Sequence, residues 1–323
     1  MERKSTRENI LTMKLFISDK KLSGGPSVFK NKLIKKLNII GYSLTHDPNE
    51  SADMELGFIS FKSEKAKKKI LRLDGVYYQK HQISMNKEIA YNIKKADGAI
   101  CQSSFSKQMI EKMICKLPSR TEIIYNGTDI SVASNAIANK RFSNIQFVMC
   151  ADWRNTKRPI SSVNGFYKWV KDNNRHDSRL VIIGDFSKYI NTINNDIKKY
   201  LVCLGDIKNN DIYSVFKSSD FMIHLCFLDS CPNAVVEGLA CGLRVLCTNL
   251  GGTMELVRES GVVINCDKFN FKPVEKITDN LSSQIVSNGI RDILRTGKQS
   301  NIRPDLDMDV TVDKYIKFMD SII

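Results

Sequence analysis

The chain alternates short apolar segments with helical patterns along most of its length, and this alternation restricts the folds open to it. The first apolar segment, TMKLFIS, covers residues 12–18. The glycine-containing turn KLSGGPS follows, and then apolar residues recur at helical spacing in VFKNKLIKKLNII. Strands that alternate with helices favour a parallel sheet covered on both faces. The sequence therefore predicts an α/β protein.

The alternation occurs in two blocks, and 323 residues are more than one core usually supports. Further strands of the first block are predicted at 42–46, 54–60, 70–74, 98–102 and 121–126, and helices at 85–96 and 104–115. Strands of the second block are predicted at 145–151, 180–184, 200–205, 221–227, 244–248 and 261–265, and helices at 159–172, 188–198, 210–218, 233–241, 274–296 and 309–322.

These blocks predict two doubly wound domains with a polar linker between them. We expect an N-terminal domain over 1–130, a linker over 131–144, and a second domain over 145–308. Residues 309–323 are expected to form a C-terminal helix that can pack back on the first domain. In such folds, ligands bind at the carboxyl ends of the strands. Many activities share this architecture, so the architecture alone does not name the chemistry.

Charge and cysteine content narrow the possible classes of protein. The net charge is +14, and residues 1–130 hold 24 Lys and Arg against 14 Asp and Glu, or +10. This excess fits a solvated lysine-rich surface, contact with anionic lipid, or contact with nucleic acid. None of the nine cysteines has a zinc-binding spacing, so we expect reduced core thiols and no metal. No membrane span or signal peptide is indicated, and we expect a cytoplasmic protein, either free or peripheral on a membrane.

The segment most informative about chemistry is 220–257, which reads DFMIHLCFLDSCPNAVVEGLACGLRVLCTNLGGTMELV. Asp229 and Glu237 are separated by seven residues, and Gly251 and Gly252 form a Gly-Gly turn. A carboxylate just ahead of a helix can meet sugar hydroxyls, and amides at the helix start can meet a pyrophosphate. His224 lies within an apolar strand and is interpreted as a buried core histidine.

This segment resembles the donor site of the retaining, family-four glycosyltransferases (glycosyl transferases group 1), which have the GT-B fold. The resemblance implies two Rossmann-like domains that face one another across a cleft. It also implies that Asp229 binds hydroxyls of the donor sugar and that Glu237 binds the ribose of the nucleotide. The family more often has Glu at the position of Asp229, so the resemblance does not assign a particular sugar. The helix start implied to meet the pyrophosphate comprises Cys231, Pro232, Asn233 and Ala234.

Other segments agree with the resemblance in chain order. In FVMCADWRNTKRP, it implies that Arg154 and Lys157 neutralise the diphosphate, with Arg158 as a further cation. In the first domain, it implies that Asp74 of LRLDGVYY contacts sugar or acceptor; many relatives have a His there. Asp74 is also explained by an Asp-Gly turn. The glycines and the acid that the resemblance places against donor or acceptor are Gly24, Gly25, Gly184, Gly205 and Asp206.

The resemblance implies metal-independent transfer of a hexosyl or pentosyl group, with retention of configuration, from a nucleotide sugar to a hydroxyl of a glycan. The acceptor glycan is expected to be free, lipid-linked or protein-linked. The nucleotide sugar, a UDP-sugar or GDP-sugar, is a co-substrate, and no cofactor is expected. Two alternatives stay open, a GT-B relative that binds nucleotide sugars without catalysis and a basic protein that binds or glucosylates nucleic acid. Nucleic acid is the less favoured partner, because it does not require the Asp229 and Glu237 arrangement.

Overall fold

The computed structural model describes residues 13–18, 22, 24–266, 268–297 and 302–323. The contacts divide the chain into two compact units. The first contains the chain up to Gly127 together with Asn270–Glu275 and Asp305–Ile323, and the second contains Thr128–Phe269 and Lys276–Pro304. Among the described residues, no helix is long and apolar enough to cross a membrane.

The first unit is built on a six-stranded parallel sheet with the order β2-β1-β3-β4-β5-β6. β3 and β5 are almost completely buried, and so is the second half of β4, whereas the lysine-rich first half of β4 is not. The predicted turn KLSGGPS includes residues 21 and 23, which lie outside the described residues. The strands are β1 (Lys14–Phe16), β2 (Ser43–Thr45), β3 (Ala52–Phe58), β4 (Ala66–Leu73), β5 (Gly98–Cys101) and β6 (Thr121–Ile123).

Helices cover this first sheet, and one of them comes from the far end of the chain. Helix α12 (Met308–Ile322) packs against α1 through the Phe29 and Tyr315 rings, whose centroids are 5.9 Å apart. Gly98 leaves space for it, since a Cβ there would lie 2.7 Å from Ile322. The other helices of this unit are α1 (Gly24–Ile39), α2 (Asn86–Lys95) and α3 (Ser104–Met113).

The second unit has its own six-stranded parallel sheet, with the order β12-β11-β10-β7-β8-β9. The aromatic ring of Phe147, on the central strand β7, contacts Phe166, Trp169 and Phe221 and anchors the core. The strands are β7 (Ile145–Cys150), β8 (Ser178–Ile183), β9 (Leu201–Gly205), β10 (Phe221–His224), β11 (Arg244–Thr248) and β12 (Gly261–Ile264).

The helices of the second unit differ from the predicted ones in four places, one of which is α10 (Thr253–Val257), a short helix that was not predicted. The segment predicted as a linker begins within α4 (Ile130–Asn135), because the Asp129 carboxylate accepts from the amide of Val132 and starts a helix. The predicted helix 188–198 is two short helices, because Asn194 caps the second one. The helices are α4, α5 (Pro159–Asp172), α6 (Ser187–Ile190), α7 (Asn195–Lys198), α8 (Asn209–Lys217), α9 (Asn233–Ala240), α10 (Thr253–Val257) and α11 (Ser283–Arg295).

The fourth difference is the late start of α11, which was predicted from residue 274. The Asp279 carboxylate instead accepts from the amides of Ile160 and Ser161, at 2.6 and 3.1 Å. It thereby caps the N-terminus of α5, and the preceding residues remain non-helical. The N-terminus of α5 is therefore occupied by a carboxylate of the chain itself.

Candidate active site

Two loops meet at the carboxyl end of the second sheet. The loop after β7 contains a 3-10 turn, Asn155–Lys157, and leads into α5. The loop after β10 leads into α9, and the amide of its Phe227 donates to the carbonyl of Thr156 at 2.7 Å. Ligands of open parallel sheets bind beyond the carboxyl ends of the strands. These two loops therefore form the candidate site of the second unit.

The side chains of Lys157 and Asp229 form an ion pair between these loops, through the Oδ2 oxygen of Asp229. Burial lowers the pKa of Lys157, but the negative charge of Asp229 outweighs it and the net pKa lies above the usual range. Burial likewise raises the pKa of Asp229, but Lys157 and His224 reverse this and hold that pKa well below its usual range. Both groups are therefore charged at neutral pH.

His224, at the end of β10, lies beside the same carboxylate. Its Nε2 atom is 3.8 Å from Asp229 Oδ2, too far for a hydrogen bond, and it is buried without a hydrogen-bond partner. Burial lowers the pKa of His224, although Asp229 acts in the opposite direction, so the imidazole is neutral at neutral pH. His224 is buried, as the sequence analysis expected, but its ring is not satisfied within the core.

The backbone of Asp229 is held by the Gly-Gly turn. The amide of Gly252 donates to the carbonyl of Asp229 at 2.8 Å. Gly251 has φ +98°, and a Cβ there would lie 2.6 Å from the Asp229 carbonyl oxygen. Leu228 is held in the left-handed region, with φ +57°, which is unusual for a leucine. The turn therefore requires glycine at 251 and determines where the Asp229 carboxylate lies.

Helix α9 places the second carboxylate of the motif and presents its own N-terminus. Glu237 is in the second turn of α9 and is 9% exposed. Pro232 is the N-cap, and it has no side-chain acceptor for the first amides of the helix, those near Asn233 and Ala234. Cys231 precedes it and is buried. Helix α9 therefore presents its N-terminal amides, which carry the partial positive charge of the helix, directly after the loop that contains Asp229.

The two arginines of the basic loop differ in their surroundings. Arg154 is exposed and donates to Asp152 at 3.2 Å and to Thr156 at 3.0 Å. Arg158 is 7% exposed, has φ +49°, and donates to the Cys266 sulfur at 3.6 Å. Its Nε atom is buried without a hydrogen-bond partner. The structure therefore brings Lys157, rather than either arginine, into contact with Asp229.

The remaining predicted residues of this unit lie at the ends of β8 and β9. Gly184, with φ +101°, donates its amide to the carbonyl of Gly205 at 2.8 Å. A Cβ on Gly184 would lie 2.1 Å from the Ala151 carbonyl, so backbone packing alone requires glycine there. Asp206 follows and is exposed. Burial raises the pKa of the Cys150 thiol, at the end of β7, to about 12, and the charges of Glu237 and Asp206 add to this.

His224, Cys226 and Asp229 each offer a metal-binding atom, and these atoms lie within 4.8 Å of one another. The sequence analysis did not find this group because the residues have none of the usual ligand spacings. Burial raises the pKa of the Cys226 thiol to about 12, and Lys157 already pairs with Asp229. A cation at this position would meet a protonated thiol and a neighbouring ammonium, so the donor set fits a metal ion poorly.

In the first unit, Asp74 belongs to a buried network at the ends of β4 and β5. Arg72, which is 0% exposed, donates to Asp74 Oδ1 and to Asn126 at 2.7 Å. Gln102 donates to the same Oδ1 atom at 2.6 Å, and the Nε atom of Arg72 donates to the Tyr315 hydroxyl at 3.0 Å. The other oxygen, Asp74 Oδ2, is buried without a hydrogen-bond partner. Asp74 is thus positioned by several side chains rather than by an Asp-Gly turn alone.

Gly24 and Gly25 open α1 and are both exposed. Gly24 has φ +63°, and a Cβ on it would meet nothing within 4 Å. Sequence reasoning missed the contacts of Gln102 with Asp74 and of Tyr315 and Asn126 with Arg72, and it did not anticipate that His224 lies beside Asp229. These are polar residues in or beside apolar segments, and most of the residues that they contact are distant in sequence.

The second unit and the fold of the whole chain resemble those of known proteins. Residues 145–279 match the model of the family Glycosyl transferases group 1, and this range includes Lys157, His224, Asp229 and Glu237. HepE of Anabaena, solved in complex with UDP, is 14% identical, with a TM-score of 0.70 over 96% of this chain and 100% of that chain. Sucrose-phosphate synthase of Thermosynechococcus elongatus is 11% identical, with a TM-score of 0.72 over 95% and 98% of the two chains.

One curated relative is a UDP-Gal:α-D-GlcNAc-diphosphoundecaprenol α-1,3-galactosyltransferase of Escherichia coli. It is 25% identical over 236 residues, which cover 67% of this chain and 60% of that protein. The matched region thus spans less than two thirds of that relative. Residues 145–279 therefore match the Glycosyl transferases group 1 family, and the chain has the GT-B fold of the solved structures that it resembles.

Proposed function

We propose that this protein is a retaining glycosyltransferase that transfers a sugar from a UDP-sugar to a hydroxyl of a lipid-linked glycan. The observation that carries the proposal is the Lys157–Asp229 ion pair beside the start of α9, inside the segment that matches the family. A cation, a carboxylate and a helix N-terminus are the groups that a nucleoside diphosphate sugar needs at one place.

For the donor, we assign roles to three groups of the second unit. Lys157, with the amides at the start of α9, meets the diphosphate, and Glu237 accepts from the ribose hydroxyls. Lys157 and His224 both face Oδ2 of Asp229, so the Oδ1 oxygen is the one we assign to the sugar hydroxyls. UDP is the proposed nucleotide because HepE was solved with UDP and the E. coli relative uses UDP-Gal. The transferred sugar is a hexosyl or pentosyl group.

In the proposed reaction, the bond between the anomeric carbon and the diphosphate oxygen breaks, and its electron pair leaves with UDP. The acceptor oxygen bonds to the anomeric carbon on the same face, and its proton passes to the departing phosphate. Lys157 stabilises the charge that develops on the leaving group, with Arg154 and Arg158 as further cations of the loop. Because these cations perform the role of a divalent metal, we expect activity in the presence of a chelator.

For the acceptor, the proposal draws on the first unit and on the E. coli relative. That relative acts on a GlcNAc-diphosphoundecaprenol, which is a lipid-linked sugar. Asp74 has one buried carboxylate oxygen without a partner, which is suited to accept a hydrogen bond from a hydroxyl of sugar or acceptor. The +10 charge of residues 1–130 favours approach to an anionic membrane surface, where such an acceptor resides.

The test is a thermal-shift titration with UDP, GDP and their sugars, with and without EDTA. Ligand at 100 times its Kd stabilises the native state by about 2.7 kcal/mol, so binding raises the melting temperature. UDP should stabilise the protein with or without EDTA, and Glu237→Ala should abolish the shift. Glu259→Ala, at an exposed acidic position of the same unit, is the matched control and should bind as the wild type does.

Product analysis completes the test. Incubation with a UDP-sugar and a lipid-linked GlcNAc diphosphate should yield a product whose anomeric proton has the configuration of the donor by NMR. An inverted product contradicts the retaining mechanism. Binding of UDP without any transfer indicates a binding protein that has lost catalysis, and absence of a shift with every nucleotide contradicts the donor site.

A further inference from the structure

The first unit contains a pocket at the end of β3 that has no role in the donor site. Its volume is about 160 Å³. Four of its lining side chains are apolar, Leu22, Leu56, Phe58 and Ile59, and two are cationic, Lys30 and Lys62. An apolar interior with cations beside it is suited to a ligand that is itself apolar at one end and anionic at the other.

The two lysines are held differently. Lys30, on α1, is 5% exposed and donates to the carbonyl of Ser18 at 2.9 Å. Lys62 is exposed, and its backbone is anchored because its amide donates to the buried carboxylate of Glu55 at 2.6 Å. The pocket thus has one buried lysine, Lys30, and one exposed lysine, Lys62. The exposed side chain can move toward an anion that binds in the pocket.

The pocket lies next to the Asp74 network. Phe58 pairs in register with Arg72, and its ring lies 5.1 Å from the Arg72 guanidinium, which contacts Asp74. Ile59, directly after Phe58, has φ +69°, a strained conformation for a β-branched residue. Backbone strain of this kind is concentrated at ligand-binding sites, where the surrounding structure holds it in place. The pocket and the unpartnered oxygen of Asp74 therefore belong to one end of the first sheet.

We propose that this pocket binds the isoprenoid carbons next to the diphosphate of a polyprenyl diphosphate acceptor, and that Lys30 and Lys62 bind the diphosphate. A dry cavity of about 150 Å³ accommodates a molecule the size of benzene, so this pocket fits about one five-carbon isoprene unit. It is too small and too apolar for a nucleotide. The inference rests on the proposed function and specifies the lipid part of its acceptor.

The experiment measures binding of three probes to the full chain by isothermal titration calorimetry: geranyl diphosphate, inorganic diphosphate and geraniol. Burying a CH₂ group contributes about 0.8 kcal/mol, so geranyl diphosphate should bind at least about tenfold more tightly than inorganic diphosphate. Geraniol, which lacks the anion, should also bind more weakly. Ser60→Trp, which fills the pocket from its rim, should abolish the preference for geranyl diphosphate over inorganic diphosphate.

The charge contribution is tested with a matched pair of lysines. Lys62→Gln should weaken geranyl diphosphate binding by about fivefold, the size expected for a partly exposed ion pair. Lys65→Gln, at an exposed lysine three residues further along that is not part of the pocket lining, should leave it unchanged. Melting temperatures and UDP titrations are recorded for each variant, to show that it folds and that the second unit still binds its ligand.

Three results would overturn the proposal. Equal affinity for inorganic and geranyl diphosphate would mean that the site binds the anion and not the apolar chain. An equal loss of affinity in the Lys62 and Lys65 variants would mean that the ligand is attracted nonspecifically by positive charge. If the protein binds UDP but not geranyl diphosphate, the assignment of the pocket is wrong and the assignment of the donor site stands. Failure of the proposed function has a separate signature, the absence of UDP binding.

Discussion

Replacing Gly251 by alanine tests whether the Gly-Gly turn positions Asp229. Alanine at φ +98° carries the cost of a left-handed conformation, about 1–2 kcal/mol. The new Cβ would also lie 2.6 Å from the Asp229 carbonyl oxygen, roughly 0.8 Å inside the 3.4 Å at which ordinary contacts begin. The two nearest atoms, the carbonyl oxygen and the amide nitrogen at 2.9 Å, belong to the backbone of Asp229, and the third is the carbonyl carbon of Leu228 at 3.3 Å, so relief requires a shift of the Asp229 backbone relative to the turn.

The matched control is Gly297→Ala. Gly297 has φ +84°, and a Cβ on it would meet nothing within 4 Å. Both variants therefore carry a similar conformational cost, which lowers the melting temperature of a unit of this size by about 2–4 °C per kcal/mol. Only Gly251→Ala displaces a site residue, and a 1 Å misplacement of a reacting group can cost about 100-fold in rate.

We therefore expect Gly251→Ala to lower kcat/KM by about 10-fold to 100-fold and to weaken UDP-sugar binding. Gly297→Ala should lose stability but keep wild-type kcat/KM. The assay is release of UDP from the UDP-sugar in the presence of acceptor, with melting temperatures measured in parallel. Wild-type kinetics in a folded Gly251→Ala protein would refute the view that this turn places the Asp229 carboxylate.

Three further predictions concern the charged side chains. Lys157→Met leaves the buried Asp229 carboxylate unpaired and should lower stability by about 3–5 kcal/mol, and the double variant with Asp229→Asn should recover most of it in urea unfolding. Tyr315→Phe removes one hydrogen bond of Arg72 and should cost about 1–3 kcal/mol in thermal unfolding; an unchanged melting temperature would show that the contact contributes nothing. Since the folded pKa of His224 is depressed, the unfolded state binds the proton first, and stability should fall as pH drops below the unfolded pKa near 6.5, whereas His224→Gln should have a flatter stability profile there.

The strands that were easiest to predict from sequence are short, mostly apolar runs that the parallel sheet buries on both faces. β7, β10 and β11 lie within or at their predicted ranges for this reason. The helix predicted at 274–296 starts too early, because the spacing of apolar residues does not reveal that a side chain of the segment caps another helix. Asp279 caps α5 instead of lying in a helix of its own segment, and nothing in the neighbouring sequence predicts this contact.

The candidate site was likewise predictable from the sequence only in part. Asp229, Glu237 and Lys157 were predicted through a motif resemblance, and their roles stay predictions until they are assayed. What the sequence did not reveal is which cation meets which carboxylate. Arg154 instead pairs with Asp152 within its own loop, while Lys157 reaches across 72 positions to Asp229. Side-chain partners of this kind depend on loop geometry, which periodicity does not encode.

Helix α12 affects the order in which the protein is completed during synthesis. The ring of Tyr315 packs in the core of the first unit and its hydroxyl bonds to Arg72, 243 positions earlier. The second unit, which ends at Pro304, is therefore fully synthesised before the first unit has its last helix. On the ribosome, the first sheet emerges without the α12 face of its core and remains incomplete for most of translation. Truncations at the C-terminus should consequently unfold the beginning of the chain rather than its end.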